Sequence, residues 1–130
     1  MLGHVQYLQL TVNDEGEEVF VLIPEPSLAI NLGTALFRKS VFDRVGLFDE
    51  TLRISQDIDW FMRAREQGVS TVVSQRTALI YRIHRHNATR DKRASRSAFV
   101  TALKMSLDRR RRGAGGEAVS LPELPHLRKE

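Results

Sequence analysis

The sequence predicts an α/β fold with something of an α+β look, a mixed sheet with flanking helices. Three observations lead there. Two β-rich runs are joined by Asn13-Asp14-Glu15-Gly16, a helix-periodic run begins at Ser55, and two further β-branched runs follow that helix. At 130 residues, 42% hydrophobic and 28% charged, the chain can bury a core, which excludes a disordered segment. It has no cysteine, so disulfides and thiolate metal sites are excluded.

Leu2 to Leu10 reads as a strand, because Val5 and Tyr7 alternate with His4, Gln6 and Leu8 and β-branched and aromatic residues are frequent. In the turn that follows, Asn and Asp bond the local backbone and Gly is free to take positive φ. Val19 to Ile23 returns as the second strand of a hairpin, stopped by Pro24 and Pro26. Leu28 to Phe37 is apolar and leaves helix and strand open, with Gly33 marking a close backbone approach or a break. Ser40 is placed to cap a short helix through Arg44, with Gly46 as its stop. Phe42, Val45, Leu47 and Phe48 read as core.

Ser55 is the expected N-cap of a helix to Glu66, with Ile58, Phe61, Met62 and Arg65 as its buried stripe and Gly68 as its end. Val69 to Val73 and Thr77 to Arg85 read as two short strands. In the second, Leu79, Tyr81 and Ile83 share one face, while Arg82, His84 and His86 share the other. Asp91 to Arg112 is a long helix with an apolar stripe of Phe99, Val100, Leu103 and Leu107. Residues 113–130, opening on Gly113-Ala114-Gly115-Gly116, read as a flexible tail.

Charge is divided unevenly along the chain. Residues 1–81 hold 7 Lys/Arg against 11 Asp/Glu, whereas residues 82–112 hold 11 against 2. Such a basic arm suits phosphate-bearing ligands, acidic membrane surfaces or nucleic acid. No apolar run is long enough to suggest a spanning helix, and the N-terminus lacks a signal-peptide pattern, so the expected location is cytoplasmic, peripheral at the inner face of a membrane.

The candidate chemistry sits at the start of the Ser55 helix. At roughly 100° per residue, Asp57 and Asp59 point about 200° apart, so one cavity cannot use both equally. Asp59 lies four residues before Arg63, the spacing of a surface ion pair. Asp57 has no such partner and shares a face with Trp60, Phe61 and Ala64. A carboxylate there is either a first-turn acid favoured by the helix dipole or a general base. His84 and His86, spaced i, i+2, can share a metal or a phosphate, although two ligands do not complete a site. Asn87-Ala88-Thr89 matches a glycosylation pattern.

Residues 33–50 (Gly33-Thr-Ala-Leu-Phe-Arg-Lys-Ser-Val-Phe-Asp-Arg-Val-Gly-Leu-Phe-Asp-Glu50), then Gln56-Asp57-Ile58-Asp59-Trp60, then Tyr81-Arg82-Ile83-His84, together resemble glycosyltransferase family 2. The likeness spans roughly residues 3 to 90 with order and spacing intact. It implies that 1–90 is the C-terminal, acceptor-side half of a GT-A catalytic domain, followed by a basic amphipathic helix over 91–112. The family's Glu-Asp-x-Asp pattern falls on Gln56 to Asp59, so the resemblance makes Asp57 the catalytic base of an inverting transfer. Gln56 departs from the usual acid.

By the same resemblance, Arg82 and His84 lie near the donor diphosphate, Trp60 and Asp59 beside substrate, and His84 is a candidate ligand of a divalent metal, Mn or Mg. The family's main Asp-x-Asp metal ligands have no counterpart before residue 30. The implied partners are a nucleotide-sugar donor and a sugar, lipid or protein acceptor, in polysaccharide or cell-envelope synthesis. A half-domain also implies an exposed sheet edge and apolar face, and hence self-association or a partner for the missing half. A second class of function is a non-enzymatic basic module in which 82–112 engages nucleic acid or an acidic membrane. Against nucleic acid, Phe99 is the arm's one Phe, Tyr or Trp, so its arginines are not interleaved with a series of aromatic rings.

Overall fold

The computed structural model describes residues 1–87 and 91–113, which form a four-stranded mixed sheet and three α-helices. The sheet is built around β1 (Leu2–Val12). β2 (Glu18–Leu22) pairs with it antiparallel from Leu8↔Leu22 to Val12↔Glu18, so the predicted hairpin forms. Asn13 makes the turn: its Oδ1 accepts from the backbone N–H groups of Glu15 and Glu17, and Gly16 takes φ +83°. β3 (Ser27–Leu28) pairs antiparallel with His4 and Val5. Those two residues also pair with β4 (Val73–Ile83), which therefore lies on the opposite edge of β1 and runs parallel to it.

Two strands were expected over 69–73 and 77–85; the first does not form, since 69–72 are not strand, and one strand runs from Val73 to Ile83. Polar Ser74 to Arg76 are carried through because the pairing with β1 is irregular there, with register shifts between Leu2 and Val5. His4 Nδ1 lies 2.8 Å from the Ser74 carbonyl and ties down this stretch. A Cβ at Gly3 would sit 2.5 Å from the Ala78 Cβ, so only glycine lets the strands approach. The open stretch 28–37 resolves as β3 and a 3₁₀ turn, Leu32–Thr34, whose Gly33 N–H donates to Asn31 Oδ1 at 2.8 Å. A Cβ on Gly33 would come within 3.1 Å of Leu79, the close approach anticipated from the sequence.

The helices pack on one another, α1 (Lys39–Val45) on α2 (Gln56–Glu66) and α2 on α3 (Lys92–Gly113). α1 starts before Ser40, so Ser40 lies inside the helix and is not its cap; Arg38 holds that position without a side-chain bond. The glycine stops are where the sequence puts them. Gly46 follows α1 at φ +85°, and beyond α2 the N–H groups of Gly68 and Val69 return to the carbonyls of Arg65 and Ala64, a Schellman closure with Gly68 left-handed. Ser55 does precede α2, but at φ +67° it makes no side-chain cap, because capping needs an extended backbone. Asp57 and Asp59 in the first turn answer the helix dipole instead.

Val45, Trp60 and Ala64 form the core of the helical part, with Phe37, Phe42, Phe48 and Phe61 packed around them. The buried side of α2 is thus Asp59, Trp60 and Ala64, and the expected stripe of Ile58, Phe61, Met62 and Arg65 is only partly covered. Leu47, expected inside, is 76% exposed; its carbonyl is held by Arg63 Nη2 at 2.8 Å while its side chain projects outward. α3 is capped by Asp91, whose Oδ1 accepts from the N–H groups of Arg93 and Ala94. Its buried residues are the small Ala102 and Ser106, which let it close on α2, so of the expected stripe Phe99, Val100 and Leu103 face away and Leu107 is only partly covered.

On the sheet, Phe20, Val21, Leu22 and Ile80 are exposed, and the far edge of β4 has no strand partner among the described residues. Among those residues no helix is long and apolar enough to cross a membrane. The tail assigned to 114–130, and residues 88 and 89 of the glycosylation pattern, lie outside the described residues.

The short link into α2 is held by Asp49, whose Oδ1 accepts from Thr51 N at 2.9 Å and from Thr51 Oγ1 at 2.6 Å. The Thr51 hydroxyl first, then its N–H, with a lesser contribution from the Arg63 charge, hold the Asp49 carboxyl below its ordinary value of 3.8. Thr51→Ala is expected to raise it back toward that value, read by NMR titration of the carboxyl carbon. A folded pKa below the unfolded one stabilises above the unfolded value, and the gain is lost as pH falls through the folded value. The stability gap between wild type and variant should therefore be present at neutral pH and close below about 3.8. An unchanged titration would discount the hydroxyl.

Candidate functional site

The two acids of α2 separate as their angular spacing requires. Asp59 is 1% exposed and spans two arginines, its Oδ2 accepting from Arg63 Nε at 2.9 Å and its Oδ1 from Arg109 Nη1 at 2.8 Å. The i, i+4 pair with Arg63 is therefore present but buried, contrary to the surface pair the spacing implied. Arg109, reaching across from α3, also donates to both oxygens of Glu66, from Nε at 2.7 Å and Nη2 at 3.0 Å. Burial works against the Arg109 charge, but the bonds to Glu66 and Asp59 outweigh it and raise its pKa. Arg63 completes the network by donating to the Val45 and Leu47 carbonyls. Asp59 is thus fully engaged in joining α2, α3 and the end of α1.

Asp57 is different. It is partly exposed, its Oδ1 accepts from the Ile58 N–H at 2.9 Å, and no ion pair to it is seen among the described residues. It follows Ser55, the one non-glycine residue at positive φ among those described, a conformation of roughly 1–3 kcal/mol strain that fixes how the chain enters the helix. Trp60, expected beside substrate, is a core residue: it is 1% exposed, its ring meets Phe37, Phe42, Phe48 and Phe61, and its Nε1 donates to the Gly46 carbonyl at 2.8 Å.

A concavity among the described residues lies elsewhere. A groove of about 730 Å³ is lined by Tyr7, Asn31, Tyr81, His84, Asn87 and Lys92 among others. Tyr7 and Tyr81 are register partners across the parallel pair, their rings edge to face at 5.8 Å between centroids. Asn87 folds the end of β4 over the groove: its Oδ1 accepts from the His84 N–H, and its Nδ2 donates to the Tyr81 hydroxyl at 3.3 Å and the Arg82 carbonyl at 3.2 Å. Of the residues to which the resemblance gave a role at the site, His84 alone lines this groove; Asp57, Asp59, Trp60 and Arg82 do not. Arg82 projects from the strand over the Phe20 ring, 5.9 Å from its centroid.

His84 and His86 lie past the end of β4, so they are brought together by a turn and not by strand alternation; their rings are 6.3 Å apart. The His86 N–H donates to His84 Nδ1 at 3.1 Å, occupying one ring nitrogen. Among the described residues no group of three or more His, Asp or Glu is placed to hold a metal. Two imidazoles, one already engaged, do not by themselves fit a divalent ion. The groove offers aromatic faces, an amide, an imidazole and the Lys92 amine. Arg85 also lines it, held by Glu18. Tyr7, Asn31 and Lys92 were not found from sequence, because each enters through pairing or packing between distant segments. Comparison with family models, curated proteins and solved structures finds no match for this chain.

Proposed function

We propose that this chain is the acceptor-side part of an inverting nucleotide-sugar glycosyltransferase of GT-A type, with Asp57 as its general base. The observation that carries this reading is the contrast between the acids of α2: Asp59 is saturated by two arginines, while Asp57 keeps a partly exposed carboxylate in the first turn. In the transfer, an Asp57 oxygen takes the proton of the acceptor hydroxyl as the hydroxyl oxygen bonds to the anomeric carbon. The bond from that carbon to the donor phosphate breaks, and the diphosphate leaves with the electron pair.

The groove, which Asp57 does not line, offers groups suited to a donor's diphosphate and ring. His84 and Lys92 present N–H donors to a diphosphate, and Tyr7 and Tyr81 give flat faces to a ring. Arg82 is then a flanking cation on the other face of β4.

Release of nucleoside diphosphate from a panel of UDP-, GDP- and dTDP-sugars, with Mn and mixed saccharide acceptors, tests the proposal. Asp57→Asn is expected to cut the rate about a hundredfold with an unchanged melting midpoint, the scale of a lost general base. Near-normal turnover by Asp57→Asn would remove Asp57 from the chemistry. No release by the wild type from any donor, together with no shift of its melting midpoint on adding donor, would remove the transferase assignment from this chain.

A further inference from the structure

The inward side of α3 is set by Ala102 and Ser106, which are buried, and by Arg109, which reaches α2. Phe99 is 43% exposed, Val100 61% and Leu103 39%. At roughly 100° per residue these three fall within an arc of about 100° whose centre lies about 110° from Ala102. Arg96 falls inside that arc, with Arg93 and Lys104 on its rim. Over its length α3 carries eight basic residues and one acid, Asp108. Up to Lys104, large apolar side chains and cations therefore share one solvent-facing surface; Leu107 and Arg110, farther along the same arc, are partly covered.

We propose that this face of α3 docks on an anionic lipid surface. Phe99, Val100 and Leu103 enter the boundary between headgroups and acyl chains, and Arg93, Arg96 and Lys104 meet lipid phosphates. Charge complementarity selects the occupant, and the apolar residues select lipid over nucleic acid. Binding a polyanion through the cations alone would leave Val100 and Leu103 in water, and with Phe99 as its one aromatic ring α3 has no series of platforms on which successive bases could stack. The docking is superficial, since α3 is not apolar enough to span. It stands independently of the transferase reading.

Co-sedimentation of the full 130-residue chain with vesicles of phosphatidylcholine, alone or with about 30 mol% phosphatidylglycerol, reads the contact. Binding is expected to the anionic vesicles, to weaken with salt, and to be slight on neutral ones. R96E/K104E should lower partitioning on the order of 30-fold and V100S/L103S on the order of tenfold. All four side chains are surface residues, so melting midpoints should hold, and circular dichroism checks that they do. Equal binding to both vesicle types, or indifference to both double variants, overturns the proposal. So does preference for a DNA duplex that vesicles fail to displace. So does a dimer in sedimentation equilibrium that V100S/L103S abolishes without any vesicle binding, which would assign the face to a second copy.

Discussion

Asp59→Ala is expected to lower the free energy of unfolding by about 3–5 kcal/mol, since it strands charges that the fold has already taken out of water. Arg63 Nε and Arg109 Nη1 would face an empty site between α2 and α3, although Arg63 would keep the Val45 and Leu47 carbonyls and Arg109 would keep Glu66. Urea unfolding followed by far-ultraviolet circular dichroism measures the loss. If Asp59→Ala does not fold, a milder comparison remains. Arg109→Met leaves Asp59 with Arg63, and Asp59→Leu combined with Arg63→Met, Arg109→Met and Glu66→Gln removes all four charges together, Glu66 included because Arg109 is its partner; that quadruple variant should recover much of the loss of the single one. A change under about 1 kcal/mol in Asp59→Ala would mean that the site is wetter than its burial implies.

Trp60→Ala is the second large effect, expected at about 3–5 kcal/mol from lost apolar burial and the cavity left among four phenylalanine rings. Trp60→Phe keeps part of the ring packing but leaves the Gly46 carbonyl without its indole donor, and about 1–2 kcal/mol is expected. Trp60 is the sole tryptophan, so circular dichroism follows these variants. The measurement also separates two roles. A substrate platform would lose ligand binding at constant stability, whereas a core residue loses stability first.

What the sequence made legible was local. Asn13 to Gly16 announced the hairpin through side-chain bonds that stay within the turn, and Gly46 and Gly68 announced helix ends through positive φ. The division between Asp57 and Asp59 followed from helix geometry alone. The inner faces of α2 and α3 were not legible, because Asp59 is buried by virtue of an arginine fifty positions later. An apolar stripe on α3 looked like core until small Ala102 and Ser106 took that side. β4 was expected to begin at Thr77 because Ser74 to Arg76 break the apolar pattern, and only pairing with β1 extends it back to Val73, while 69–72, expected as a strand of their own, form none. The groove was hidden for the same reason: Tyr7 and Tyr81 meet only through that pairing.

The central place of β1 also sets an order of events during synthesis. Its antiparallel partner is the next segment of chain, Leu10 facing Phe20, whereas its parallel partner arrives about seventy residues later, Val5 facing Leu79. A hairpin can close in microseconds, while a contact of that sequence separation waits for the intervening helices to be made and for a long loop to be closed. The nascent chain therefore passes through an interval in which β1 is half-paired and its second edge is open. Protection from aggregation is needed most in that interval, before the last strand leaves the ribosome.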